Sequence, residues 1–424
     1  VENLFFILAT IFIFSFMFLF PINRVPDEMN HARMTWETFH KPTENSFKWM
    51  DEIPSNDKVK LKEYKQLLAR KIEMKNEPFK FGISLKTISF LPQLIGMTIG
   101  SWISPSVGMI IYMGRIFNAL AYILGLYFLI RYFKYGKTAL MFISLLPIMV
   151  QQASSLSYDV MNYLEVMLAF GFITNLAYSK RFTNRNFVQV IGLAILLLTT
   201  KPNNILLLGL IPFVSFEFKG VLKVLNRPFK SLKIIVSRYK FVFYLLLLIT
   251  IGFILQFLMR NEGGLVHYIH VLLNTLVNAR QNGDLNSILT IGVFGYLGNF
   301  TLQLPLWLIF IDIAVLVLIF LANEKDFFSK DFSIFAAWLF PIQVLATVTV
   351  MYLQWTPIVL GHGASVSVGS QGRYFTPFLI LFLPLVANLG NFEISQNKVL
   401  KISTITLLLN FLISIFLIIP FYWM

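Results

Sequence analysis

The sequence predicts an all-α integral membrane protein, one polytopic bundle of about eleven spanning helices of bilayer length. Three observations predict it. Apolar runs recur along the whole chain, charge is scarce, and the charges fall in a sided pattern. Of 424 residues, 57% are hydrophobic and 13% charged, where a soluble domain carries about a quarter charged. Phe occurs 44 times. A water-soluble core does not hide that many large apolar side chains, but lipid does.

The apolar runs are 4–20, 108–130, 138–152, 160–178, 187–200, 204–217, 241–259, 304–322, 333–351, 375–390 and 402–421. The first reads as a retained helix. It has no basic residue before it and no small-residue cleavage site, and Pro21-Ile22-Asn23-Arg24 follows. Runs 187–200 and 204–217 are short and meet at Lys201-Pro202, where the proline ends a helix. The apolar stretch 83–103 is interrupted by Lys86 and Pro92. It reads as interfacial or re-entrant, because a full crossing there would invert every later loop.

The charges test this order. With the N-terminus inside, the inner loops carry Arg131, Lys134 and Lys137; Lys180, Arg181 and Arg185; seven cations from Lys219 to Lys240; Lys325 and Lys330; Lys398 and Lys401. The short outer connections carry only Lys201 and Arg373. That asymmetry is the one cytoplasmic loops impose. It also accounts for the net charge of +14 without a nucleic-acid partner. Residues 1–424 thus form a single membrane domain, with a long outer loop at 22–85, a basic inner loop at 218–240, and outer loops at 260–303 and 352–374. Within the first loop, Leu61, Tyr64, Leu68 and Ile72 recur at helical spacing, which predicts a helix lying on the membrane surface. The run Val266 to Asn278 predicts a second amphipathic helix. No internal repeat or soluble domain is visible. Heavy use of Lys, Asn, Ile and Phe points to a bacterial source.

Ionisable residues at membrane depth are expensive and usually functional. Asp27, Glu28 and His31 follow the first helix, Asp159 precedes the run at 160, Lys201 lies between two runs, and Arg373 precedes the run at 375. All map to the outer face. Pro26-Asp27-Glu28 is also a plain helix start, since acids favour that end of the dipole. As chemistry, the pair offers a general base at the mouth of a membrane cavity. Asp27, Glu28 and His31 are the one candidate set for a divalent cation, magnesium or manganese; no other cofactor is implied. Ser154 to Asp159 reads either as a helix cap or as a second acid that orients a hydroxyl, with Tyr158 beside it. Lys201 and Arg373 read as snorkelling cations or as a phosphate site. Arg373 has the better context in Gly369-Ser370-Gln371-Gly372-Arg373-Tyr374, where small residues free backbone amides. Arg115 is a third phosphate candidate. His267 and His270 share a helix face and read as interfacial. There are no cysteines, so thiolate chemistry is excluded, and no phosphate-binding loop, dinucleotide fingerprint or serine elbow appears.

Seven motifs appear in order: Pro26-Asp27-Glu28-x-x-His31, Leu91-Pro92-Gln93-Leu94-x-Gly96, Gly114-Arg115-x-x-Asn118, Ser155-Leu156-Ser157-Tyr158-Asp159, Lys201-Pro202, Gly292-x-x-Gly295-Tyr296 and Gln371-Gly372-Arg373-Tyr374-Phe375. Together they resemble the bacterial membrane proteins grouped as domain-of-unknown-function family 2142, placed near the GT-C glycosyltransferases. The resemblance implies a GT-C-like bundle in the bacterial cytoplasmic membrane. Its outward site would take sugar from a polyprenyl-phosphate donor and pass it, with inversion, to a cell-envelope glycan. It implies that Asp27 or Glu28 is the catalytic base, that Arg373, with Lys201 or Arg115, binds the donor phosphate, and that His31, Asp159, Tyr158, Gln371 and Tyr374 orient substrate. The alternatives are a lipid-linked-glycan flippase or transporter, and a ligase or polymerase using lipid-diphosphate glycans. A flippase predicts duplicated halves and a midplane charge relay, whereas here the charges gather at one face.

Overall fold

The computed structural model describes residues 1–44, 46–55, 58–278, 288–289, 291–390 and 394–424. Parts of two expected outer loops, at 45, 56–57, 279–287 and 290, lie outside the described residues. Helix α1 (Glu2–Leu19) buries Phe5, Ala9, Phe12 and Phe16 at helical spacing, while Phe6, Ile7, Ile11 and Phe18 are exposed. Both faces are apolar, as a helix bordered by lipid requires.

The first long connection folds into a cap of its own. It holds α2 (Glu28–Trp36), α3 (Lys48–Asp51) and α4 (Leu61–Ala69) around a cluster with Trp36, Phe47, Trp49, Met50 and Tyr64. Helix α4 forms where its periodicity predicts one, and Tyr64, Leu67 and Leu68 of its apolar face pack on protein while Leu61 stays exposed. The Tyr64 hydroxyl accepts from Ile22 N–H at 3.0 Å and meets the Tyr112 hydroxyl at 3.2 Å. Val107, Ile110 and Ile111 belong to the same cluster, so packing removes most of that face from water without lipid.

Helices α5 (Thr87–Ile103) and α6 (Val107–Tyr132) form a close hairpin. A Cβ on Gly96 would stand 2.2 Å from the Met113 carbonyl oxygen, so only glycine lets the backbones approach this far. The stretch expected to be interfacial or re-entrant is a regular 17-residue helix with Pro92 inside it. The run 138–152, expected as one span, is two short helices, α7 (Lys137–Ser144) and α8 (Pro147–Ala153). Pro147 has no N–H to continue α7, and it starts α8 instead. Every residue of α8 is buried.

Then follow α9 (Asp159–Ser179), α10 (Asn184–Leu197) and a 3₁₀ segment, Pro202–Phe213, bounded by two prolines. Next come α11 (Asn226–Arg238), α12 (Lys240–Leu258), α13 (Gly264–Leu276), α14 (Ile291–Phe294), α15 (Leu306–Leu321), α16 (Lys330–Gln354) and α17 (Thr356–Leu360). The chain ends in 3₁₀ turns at Gly372–Tyr374 and Thr376–Phe382, then α18 (Leu383–Leu389) and α19 (Gln396–Trp423). Among the described residues, six helices, α1, α6, α9, α12, α16 and α19, are long and apolar enough to cross a membrane. Residues 87–103, 184–197, 202–213, 264–276, 306–321 and 376–389 are shorter apolar helices. Strands are minimal among the described residues: β1 (Arg181–Phe182) pairs in parallel with β2 (Glu217–Phe218), and β3 (Tyr296–Leu297) pairs antiparallel with β4 (Leu302–Gln303).

The basic loops gather at the end of the bundle where α1 begins. There the Tyr127 hydroxyl donates to Asn3 Oδ1, the Asn175 amide donates to Tyr132 O, the Tyr135 hydroxyl donates to Glu324 O, and β1 meets β2. The end where α1 finishes and α6 and α9 begin carries a different set of charges.

Candidate active site

Arg115, in α6, is fully buried and caps the C-terminus of α1. Its Nη1 donates to Met17 O and Phe20 O, each at 3.0 Å, and Nη2 to Pro21 O at 3.3 Å. These are helix-end carbonyls with no partner inside α1, and a cation is favoured there. The same guanidinium grips Glu28 with two bonds, Nε to Oε1 at 2.6 Å and Nη2 to Oε2 at 2.7 Å. Glu28 also accepts from Asn23 N–H at 2.8 Å and Leu156 N–H at 3.2 Å. The clamp thus ties α1, α2, α6 and the loop before α9 together. It leaves both Glu28 oxygens and all three Arg115 nitrogens engaged.

Asp27 sits one residue away and faces elsewhere. Its backbone is left-handed, with φ 63°. An aspartate tolerates that region more readily than most side chains, yet it still costs free energy. This turn sends Glu28 toward α6 and Asp27 toward Arg373. Arg373 Nη2 donates to Asp27 Oδ2 at 2.7 Å, and the Gln371 amide donates to the same oxygen at 3.1 Å. Arg373 Nε donates to Asp159 Oδ2 at 3.0 Å, and Lys201 Nζ donates to Asp159 Oδ1, also at 3.0 Å. Asp159 is fully buried, whereas the Asp27 side chain keeps 33% of its surface exposed. Two acids and two cations therefore form one neutral network, and Asp27 is its most accessible acid.

Aromatic rings enclose the network. Lys201 Nζ lies 3.3 Å from the Tyr374 ring centroid and 5.8 Å from that of Tyr158. The His31 ring stands edge-on to Tyr158 at 4.6 Å. Burial raises the Asp27 carboxyl, but the charge of Arg373 and the hydrogen bonds from Arg373 and Gln371 outweigh it, so the group lies below the ordinary carboxylate range. Burial lowers the His31 imidazole further than Asp159 and Asp27 raise it, so the ring is held neutral. Burial likewise lowers the Lys201 ammonium, against the pull of Asp159. Three polar atoms of the set, Arg373 Nη1, Gln371 Oε1 and His31 Nδ1, are buried without a hydrogen-bond partner. Arg373, Gln371 and Pro26 also line a cavity of about 340 Å³.

The structure sorts the residues expected from the sequence. Asp27, Asp159, Lys201, Arg373, Gln371, His31, Tyr158 and Tyr374 come together. Glu28 and Arg115 do not join them; each is the other's partner, so no guanidinium N–H of Arg115 remains for a donor phosphate. Asp27, Glu28 and His31 do not converge as metal ligands, because Glu28 is turned into the clamp, and no group of three such side chains is placed for a metal among the described residues. His267 meets the Ala364 carbonyl oxygen at 3.2 Å, apart from this network. Sequence reasoning missed Glu165 of α9, which is buried and accepts from the hydroxyls of Thr199, at 2.9 Å, and Thr200. Its signal was available: an acid inside an apolar run, six residues after Asp159.

A family model described as Predicted membrane protein (DUF2142) matches residues 10–382. The chain belongs to this family. No curated protein and no solved structure matches the chain. The matched DUF2142 segment contains every residue of the charge network, the Glu28–Arg115 clamp and the cavity wall, and ends before α18.

Proposed function

We propose that this DUF2142 protein is a membrane glycosyltransferase of GT-C type. It would work on the extracytoplasmic face of a bundle of about eleven crossings, with a polyprenyl-phosphate-linked sugar as donor and a cell-envelope glycan as acceptor. The observation that carries the reading is the neutral network of Asp27, Arg373, Asp159 and Lys201, at the end of the bundle opposite the basic loops. Buried acids and cations held in register across four separate segments suit charge development in a reaction better than they suit stability.

The chemistry divides by atom. An acceptor hydroxyl oxygen attacks the anomeric carbon and its proton passes to Asp27. The bond from that carbon to the phosphate oxygen breaks, and the electron pair leaves on the lipid phosphate. Arg373 Nη1 and the Lys201 ammonium hold that charge. Asp159 keeps both cations in place and His31, neutral, packs behind Asp27. The arrangement also couples the two substrates. In the free enzyme Arg373 keeps Asp27 a weak base; a donor phosphate that draws on the same guanidinium makes Asp27 more basic when the acceptor needs it.

The test is transfer of labelled sugar from lipid donor in membranes carrying Asp27→Asn. The amide keeps the shape and removes the base, and transfer should fall by at least about a hundredfold. The acid limb of kcat/KM in the native enzyme should lie below the ordinary carboxylate range, and that of kcat should lie higher. Full activity in Asp27→Asn, or identical limbs, would overturn the assignment. Movement of lipid-linked glycan across sealed vesicles without transfer would replace it with a flippase.

A further inference from the structure

The motif Gly292-Val293-Phe294-Gly295-Tyr296 takes no part in the charge network, yet the network rests on it. A Cβ on Gly372 would stand 2.2 Å from the Gly292 carbonyl carbon. The turn that bears Arg373 therefore lies directly on this motif, backbone to backbone. The cavity of about 340 Å³ is lined from both segments and from the β3–β4 turn, and falls at the lower end of small-molecule sites. Tyr296 and Phe300 line it with ring centroids 6.0 Å apart and planes inclined at 36°. The turn is anchored from beneath, where Gly298 N–H donates to Gln151 Oε1 at 2.7 Å.

The rest of the lining is polar and unfinished. Ser370 is fully buried and its Oγ has no partner; Gln371 Oε1 and Arg373 Nη1 are also buried without one. Unpaired polar atoms are costly to bury, and a ligand that completes them is the usual compensation. Asn299 adds an exposed amide at the rim, and no carboxylate lines the cavity among the described residues. Aromatic faces beside neutral donors and acceptors suit a molecule with an apolar ring face and hydroxyls around its edge. A lipid tail would leave the amides unused, and a lone phosphate would leave the rings unused.

We infer that this cavity binds the glycan acceptor, a neutral hydroxylated sugar ring stacked on Tyr296 and Phe300 with its hydroxyls on Ser370, Gln371 and Asn299. The inference rests on the glycosyl-transfer reading and extends it to a substrate site. Position supports it: Pro26 and Gln371 line the cavity, and Gln371 donates to Asp27. A hydroxyl bound there lies next to the base, while Lys201, outside the lining, is left for the donor.

The probes are methyl glycosides of common neutral hexoses and N-acetylhexosamines, added to the full chain in nanodiscs and read by saturation-transfer NMR. A photoreactive version should cross-link within 292–303 or 369–373. Tyr296→Ala should weaken sugar binding about tenfold, and the rim variants Phe300→Ala and Asn299→Ala, at exposed side chains, should weaken it without unfolding. Binding of polyprenyl phosphate should be unchanged in all three. Sugar binding that is absent, or indifferent to all three variants, would overturn the inference even if transfer from the lipid donor is intact. Loss of transfer reading alone, with sugar still held at Tyr296, would leave the site and remove the reaction.

Discussion

Asp27 and Glu28 are adjacent in sequence and opposite in role. Glu28 and Arg115 are both fully buried and satisfy each other, so removing one strands the other. Glu28→Ala should therefore cost about 3–5 kcal/mol, read as a lower thermal midpoint in detergent. Glu28→Ala combined with Arg115→Met should recover much of the loss, and an unchanged midpoint in the single variant would refute the clamp. His31 gives a pH signature. Its folded value lies below its unfolded one because burial disfavours the imidazolium, against Asp159 and Asp27 and with Arg373. As pH falls below about 6.5 the unfolded chain takes the proton first, so the fold loses stability from there downward. His31→Gln should flatten the midpoint between about pH 7.5 and 5.5; an equal acid loss in the variant would assign the effect elsewhere. Most of this cluster was legible as outward-mapping charges. The choice between Asp27 and Glu28 was not, because it turns on one left-handed backbone angle that Pro26-Asp27 does not announce. Nor was the role of Arg115 legible, since the α1 carbonyls that it caps lie about ninety-five residues earlier in the chain.

Elements were legible where periodicity is long and uninterrupted. The runs at α1, α6, α9 and α16 became single helices, and the amphipathic α13 formed where expected. Prolines decided the failures. Pro147 splits one expected span in two, and a continuous apolar run does not tell a crossing helix from a buried one. The α5–α6 hairpin was hidden for another reason: its close approach depends on Gly96, Gly100 and Gly114 facing the partner helix, which one sequence does not pair. Gly96→Leu drives a side chain into the Met113 backbone and should cost at least about 1–3 kcal/mol. It should also part the Gln93 amide from the Thr35 hydroxyl, now 2.8 Å away, and so loosen α2 beneath Asp27. Leu91→Ala, on the exposed face of the same helix, is the control. Equal thermal midpoints for the two variants would show that the hairpin contact does not matter.

At the scale of the whole molecule, two ends of one bundle carry different charge. One gathers the lysines and arginines of the basic loops, mostly at the surface, and the other gathers buried acids and cations in fixed pairs. Only the first pattern is explained by insertion bias; the second supports the proposed site. If both readings hold, the basic end faces the cytoplasm and Asp27 faces away from it. The absence of cysteine makes this directly measurable. Single cysteines at Lys62, on the exposed side of α4, and at Lys223, in the basic loop before α11, report opposite ends, and both side chains are exposed. In intact spheroplasts a membrane-impermeant maleimide should label Lys62→Cys at once and Lys223→Cys only after permeabilisation. The reverse order would place Asp27 and Arg373 on the cytoplasmic side, where soluble nucleotide sugars are at hand and a lipid carrier is no longer required. On the glycosyl-transfer reading, sidedness thus fixes the chemical class of the donor before any substrate is identified.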